Sequence, residues 1–423
     1  MTVLAITRRS PIEQALTWGT ATSSLAKGLL FGVSALFFTR VIGLSAATVG
    51  LGLTVAGGVG LAAAFGSGYA ADRLGARRVL LATTVAQGAA LAAYTIARSA
   101  LVFVLVACVA VGSEAAQRTA RTTLLARQFT GGDRVEVRAR LRVVTNVFIG
   151  VGSLAAAGAL TVDTAAAYAV TMAIAAVLVL SATVPLRRLP EPPRVPEERH
   201  RTPLRDYRYI GIAALNGLLT IQFGLLTIGL PLWVTGHTRA PAATVAALLV
   251  INTAFVALFQ VRAARLATDI RKAGRVVFAA ACALTVACFL YATAAHGPIM
   301  MATALLVLGV FAHSTGEVLA EAGGWELAFE LADPRNAGAY QGVSQAGPAV
   351  GAMLAPAMVT STAIDHGGPG WAVLAVTFLI AGAGTAVLAA TAVRRSGRVE
   401  GAANQMPRTA WCRRGAGMTS TDS

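Results

Sequence analysis

In the stretch HSTGEVLAEAGGWELAFELAD, His313, Glu317 and Glu321 recur every four residues and so share one face of a helix. A carboxyl and an imidazole one turn apart are suited to taking up and releasing a proton near neutral pH. A structural ion pair is the competing role for Glu317. The segment GSEAAQRTAR sets Glu114, Arg118 and Arg121 at i, i+4 and i+7, again on one face. Glu114 either pairs along its own helix with Arg118 or meets a partner from elsewhere, Lys27 being the candidate. That lysine interrupts a long apolar run and is one of only two in a chain with 33 arginines. An ammonium can surrender its proton when desolvated, whereas a guanidinium keeps its charge. Gly28 and Gly32 beside it form a face of small residues that admits a neighbouring helix. Gln222 is a further polar residue inside an apolar segment, while Asn146 and Asn252 read as helix-to-helix hydrogen bonders. No phosphate loop, nucleophile elbow or zinc spacing occurs, and the five His are dispersed. Catalysis, a metal centre and a bound cofactor are therefore not expected.

The elements that must position these residues follow from hydropathy. Of 423 residues, 56% are apolar and 13% charged. A hydrocarbon core about 30 Å thick needs about 20 apolar residues per helical crossing. Twelve such runs lie near 17–39, 46–68, 79–97, 101–124, 141–161, 164–185, 209–234, 242–262, 276–295, 298–321, 338–362 and 370–393. The first lacks a following cleavage pattern and reads as a retained span. The expected organisation is a short N-terminus (1–16), six helices (17–185), a Pro-rich charged loop (186–208), six more helices (209–393) and a disordered polar tail (394–423). Counting along these spans puts Lys27, Glu114, Gln222, His313 and Glu317 near mid-span, with Arg118 one turn from Glu114 as a further cavity candidate. An ionised side chain there costs about 2.5–3.5 kcal/mol, so each needs a reason.

A net charge of +16 suggests nucleic acid in a soluble protein, but the distribution argues otherwise. Twenty-nine of the 35 basic residues fall on one side of the twelve-span arrangement, and Arg40, Arg98 and Arg239 on the other. That asymmetry predicts both termini in the cytoplasm of a cell-membrane protein, with anionic lipid and no nucleic acid as counterpart. Cys108, Cys282, Cys288 and Cys412 show no ligand spacing and read as small apolar residues. Glu326 and Glu330 read as the solvated end of their helix.

The halves also repeat, AADRLGARRVLL against ATDIRKAGRVVF, an alignment that sets Asp72 against Asp269. Two parallel six-helix repeats bind solute between them near mid-bilayer. The residues Gly68, Asp72, Arg73, Gly75, Arg77 and Arg78 resemble the loop 2–3 signature of the major facilitator superfamily, with Ala76 as a departure. The resemblance covers residues 10–393 and implies an all-α membrane protein of twelve transmembrane helices in two pseudo-symmetric six-helix bundles. It implies that loop 2–3 acts as a conformational latch, and that spans 1, 4, 7 and 10, which carry the polar residues above, line the cavity. It further resembles the drug and metabolite proton-antiporter branch. This implies a monomeric secondary transporter exporting a small organic solute in exchange for protons. Nutrient uptake by proton symport is the alternative, and a non-transporting receptor or assembly protein is a more distant one. The antiporter glycine-proline motif is absent from span 5, and its likeness stands in span 11, where Pro348 predicts a bend.

Overall fold

Helix starts in this chain are written by short polar residues ahead of apolar runs. Ser10, Ser45, Ser99, Thr164, Asp206 and Asp269 each accept a hydrogen bond from the backbone N–H three residues on. The computed structural model describes residues 10–97, 99–191 and 202–404. Residues 1–9, Arg98, most of the Pro-rich loop (192–201) and the end of the tail with Cys412 (405–423) lie outside the described residues.

Twelve long helices follow in order. They are α1 (Pro11–Leu36), α2 (Ala46–Leu74), α3 (Ala76–Tyr94), α4 (Ala100–Gln128), α5 (Gly132–Val162), α6 (Ala165–Ser181), α7 (Tyr207–His237), α8 (Ala243–Ala264), α9 (Ile270–Ala294), α10 (Ile299–Glu330), α11 (Ala337–Val359) and α12 (Gly368–Asn404). Ten of them are each long and apolar enough to cross a membrane. α1 and α3 complete the set by packing among them, α1 against α5 and α6, and α3 against α4 and α6. α12 runs on to Asn404, beyond the boundary expected at 393. α7 opens into a wide turn at Leu225–Gly229, just before Pro231, whose missing N–H cannot continue the regular ladder. α11 stays helical through both Pro348 and Pro356 and widens only at Thr360–Ile364.

The two halves use the same packing scheme. α1 meets α5 and α6, α2 meets α4, and α3 meets α4 and α6; six helices later α7 meets α11 and α12, α8 meets α10, and α9 meets α10 and α12. Across the seam α2 packs on α11 and α5 on α8, again the same relation applied twice. Close approach within each half depends on absent side chains. A Cβ on Gly28 would lie 2.2 Å from the Ile149 carbonyl oxygen, and one on Gly152 2.2 Å from that of Leu25, so α1 and α5 touch backbone to backbone. The core of the first half gathers Phe37, Phe38, Tyr94, Phe103 and Tyr168; the second gathers Trp233, Leu284, Tyr291, Trp371 and Phe378.

The turn between α5 and α6 is pinned by Arg40, whose Nη1 donates to Asp163 Oδ1 at 3.0 Å. The Tyr168 hydroxyl also donates to Asp163, and with Arg40 it holds that carboxyl below its usual range. The two aspartates that the repeat alignment pairs stand at different helix ends. Asp72 sits in the last turn of α2, whereas Asp269 is the N-cap of α9 and accepts from the Lys272 N–H at 2.8 Å.

Candidate functional site

Three groups of polar residues stand out. The first joins α1 to α4. Lys27 Nζ donates to Glu114 Oε1 at 2.6 Å, with both side chains about a third exposed. Glu114 therefore meets Lys27 rather than Arg118 four residues along its own helix. Arg118 is exposed and Arg121 half-buried, and neither has a carboxylate within ion-pair distance among the described residues. Phe31, one turn beyond Lys27, places its ring 5.5 Å from the ammonium and remains 64% exposed. The other side of α4 is anchored. Gln117 donates to Gln87 Oε1 at 2.8 Å and to the Thr83 carbonyl at 3.2 Å on α3, and Thr119 to the Ala64 carbonyl on α2 at 2.9 Å. The charged face of α4 is thus held in one orientation by its neutral faces.

The second group joins the halves. Arg142 on α5 donates through Nη2 to Glu317 Oε1 at 2.7 Å, and its Nη1 lies 3.2 Å from Glu321 Oε2. The second Glu317 oxygen accepts from Asn252 Nδ2 of α8 at 2.9 Å, and the same amide reaches Ser314 Oγ at 3.0 Å. Asn252 is the helix-to-helix hydrogen bonder its position suggests, and its partner is the candidate proton carboxylate. The contacts continue toward the end bearing loop 2–3. Arg138 stacks 4.9 Å from the Trp325 ring and 5.6 Å from Phe329, and Arg134 pairs with Glu330. Arginines four residues apart on α5 thus meet carboxylates and aromatic rings on the antiparallel α10. Arg265, after α8, adds a bond to Glu136 Oε1 at 2.8 Å, an oxygen that Arg140 also reaches at 2.7 Å.

None of these arginines stands out when basic residues are merely summed as inside charge. Their i, i+4, i+8 spacing is the signal that could have found them. Glu330 meets Arg134 of α5. Glu326, expected at a solvated helix end, is 1% exposed, because its turn of α10 is packed under α9 at Gly323.

Loop 2–3 forms the third group. Asp72 accepts from the Gly338 N–H at Oδ1 and the Ala339 N–H at Oδ2, each 2.8 Å, and from Arg127 Nη2 at 2.6 Å. Gly338 and Ala339 are the second and third residues of α11, so an aspartate of the first half caps a helix of the second. Gly68 and Gly338 make the contact tight enough: a Cβ on Gly68 would lie 2.2 Å from the Gly338 carbonyl oxygen. Gly75 has φ +100° and turns α2 into α3. Arg77 donates to the Arg187 carbonyl, and its N–H reaches Glu191 Oε1 at 3.3 Å, contacts within the first half. Arg73 and Arg78 are exposed. Asp72→Ala removes both cap bonds, worth about 1–2 kcal/mol. It is expected to slow solute flux about tenfold in reconstituted vesicles at unchanged protein content.

Two of the anticipated cavity residues are buried. His313 is fully buried, with its ring 6.3 Å from Tyr291 of α9 and neither nitrogen partnered among the described residues. Gln222 is 1% exposed, with Oε1 unpartnered among them. The halves are joined by Arg142 with Glu317 and Glu321, Arg134 with Glu330, Arg265 with Glu136 and Asp72 with the start of α11, while Lys27 and Glu114 pair within the first half. Among the described residues, every ion pair and cap bond between the halves lies toward the end carrying loop 2–3, so that end is closed.

Known structures share this arrangement. The human organic anion transporter MFSD10 (TETRAN) superposes with TM-score 0.67 at 14% identity, over 89% of this chain and 99% of that one. The proton:xylose symporter XylE, bound to 6-bromo-6-deoxy-D-glucose, gives 0.65 at 15% identity, over 90% and 94%. FucP, a major facilitator superfamily transporter in the outward conformation, gives 0.71 at 11% identity, over 90% and 99%. At such identities the likeness is one of fold. No curated protein matches by sequence. The Major Facilitator Superfamily profile matches residues 16–356. With twelve helices in two like-packed sixes and an Asp72 cap across their seam, this multi-pass membrane chain belongs to the major facilitator superfamily.

Proposed function

We propose that the protein is a secondary transporter that exports a small organic solute, drug-like or a secondary metabolite, in exchange for protons. The observation that carries this reading is Glu317, a carboxylate of one half held by Arg142 of the other. Ionised, it ties α10 to α5 and keeps the loop 2–3 end shut. Protonated, it gives up the charged half of that pair and the bundles part at that end. Solute then loads from the loop 2–3 side, the proton leaves to the same side, and the re-formed pair closes that side behind the solute. The sign of the exchange follows: a proton arriving from the far side opens the near one. In this reading both termini are cytoplasmic, the membrane is the cell membrane, the working unit is a monomer in lipid, and Asp72 with its loop is the latch. Lys27 and Glu114 lie in the chamber where solute binds.

The test uses everted vesicles. An acid interior is expected to drive solute accumulation that an uncoupler collapses; accumulation unaffected by the gradient would overturn the reading. Proton-symport uptake is the second reading, favoured by the absence of proline from α5 and by the fold shared with a proton:xylose symporter. It requires accumulation in right-side-out vesicles with an acid exterior.

A further inference from the structure

The α4 face carries more positive charge than its surroundings neutralise. Lys27 has taken Glu114. Glu317 and Glu321 belong to Arg142, and Asp72 to Arg127 and the start of α11. Two guanidiniums, those of Arg118 and Arg121, are left without a carboxylate among the described residues, and Arg121 Nε is buried with no hydrogen-bond partner among them. An exposed arginine at this depth cannot face hydrocarbon without a cost of about 2.5–3.5 kcal/mol. Arg118 stands one turn and Arg121 two turns from Glu114 on one face of α4, the face that carries the Lys27–Glu114 pair. Two unneutralised cations in a site of reduced dielectric attract an anion and repel a cation. Their planar forks match a carboxylate, sulfonate or phosphate oxygen pair better than a neutral amide.

An acidic group alone would leave part of this face uncovered. Phe31 is 64% exposed beneath the Lys27 ammonium, on the same helix face. A ring or other apolar body fits there.

We infer that the transported solute is an organic anion, its acidic group held by Arg118 and Arg121 and its apolar body lying against Phe31. This rests on the chamber assigned under the transport reading, but its test does not need transport. Purified protein in phosphatidylcholine nanodiscs, free of anionic lipid, is titrated calorimetrically with four probes. These are 2-naphthoate, 2-naphthamide, 2-naphthylmethylammonium and inorganic phosphate. Naphthoate is expected to bind at least about tenfold more tightly than the amide or the ammonium, and phosphate more weakly than naphthoate. Arg118→Gln is expected to weaken naphthoate about tenfold and leave the amide unchanged, with Arg118→Lys retaining part of the preference. Absence of naphthoate binding, equal binding of the three naphthyl probes, or a preference that survives Arg118→Gln together with Arg121→Gln overturns the inference. Phosphate binding as tightly as naphthoate overturns the organic part of it. Loss of proton-driven flux alongside an intact anion preference would instead sink the transport reading and leave this one standing.

Discussion

Glu317→Gln is expected to abolish proton-driven solute accumulation while leaving solute exchange in the absence of a gradient. Glutamine preserves the size of the side chain and can still accept from Asn252, so the packing of α10 against α8 survives. What disappears is the charge that holds Arg142 and the group that takes the proton. Removing one member of a buried pair costs about 3–5 kcal/mol. Here Glu317 is 4% and Arg142 22% exposed, and Glu321 at 3.2 Å partly compensates. The expected fall in accumulation is therefore about 100-fold, just below that range. Exchange of labelled against unlabelled solute across the same vesicles is the control that separates a lost proton site from a misfolded protein. Accumulation at the native level would remove Glu317 from the coupling scheme.

The second large effect is mechanical. Gly68→Val builds a branched side chain where even a Cβ would stand 2.2 Å from the Gly338 oxygen, and the obstructing atom is backbone that cannot swing aside. The clash is relieved when α2 and α11 separate at the loop 2–3 end. Overpacking of about 1–3 kcal/mol, placed on the closed form alone, shifts the balance toward the open one by about 5- to 150-fold. Ala339→Cys, at a position 1% exposed on α11 beside Gly68, offers a readout. Its labelling by a membrane-impermeant maleimide applied from the loop 2–3 side is expected to rise at least about tenfold in the Gly68→Val background, with flux falling to background. Unchanged labelling would mean that this end does not open there.

Hydropathy and charge asymmetry made the helices legible because bilayer thickness and positive-inside bias act on every span alike. Lys27 and Glu114 were legible for the same reason, since a charge inside an apolar run is conspicuous. Arg142 was not, because counting basic residues by loop assigns them a side of the membrane and ignores the face of the helix they occupy. The job of Asp72 was half legible. The loop pattern marks the carboxylate, but its partners are the Gly338 and Ala339 amides, and a backbone N–H carries no signature in sequence. His313 and Glu317 were grouped by spacing, yet four residues turn a helix by 40° beyond a full circle. That offset suffices to aim the imidazole at α9 and the carboxylate at α8 and α5.

The cap that Asp72 places on α11 also bears on what each half is by itself. Asn336, at the head of α11, does not close that helix end with its own side chain. The amides of Gly338 and Ala339 are satisfied from 266 and 267 residues upstream in the chain. A second half expressed without its mate would begin α11 on two bare donors, a cost of about 0.5–2 kcal/mol that falls on that half alone. Co-expressed fragments should recover a well-formed seam only when they find each other.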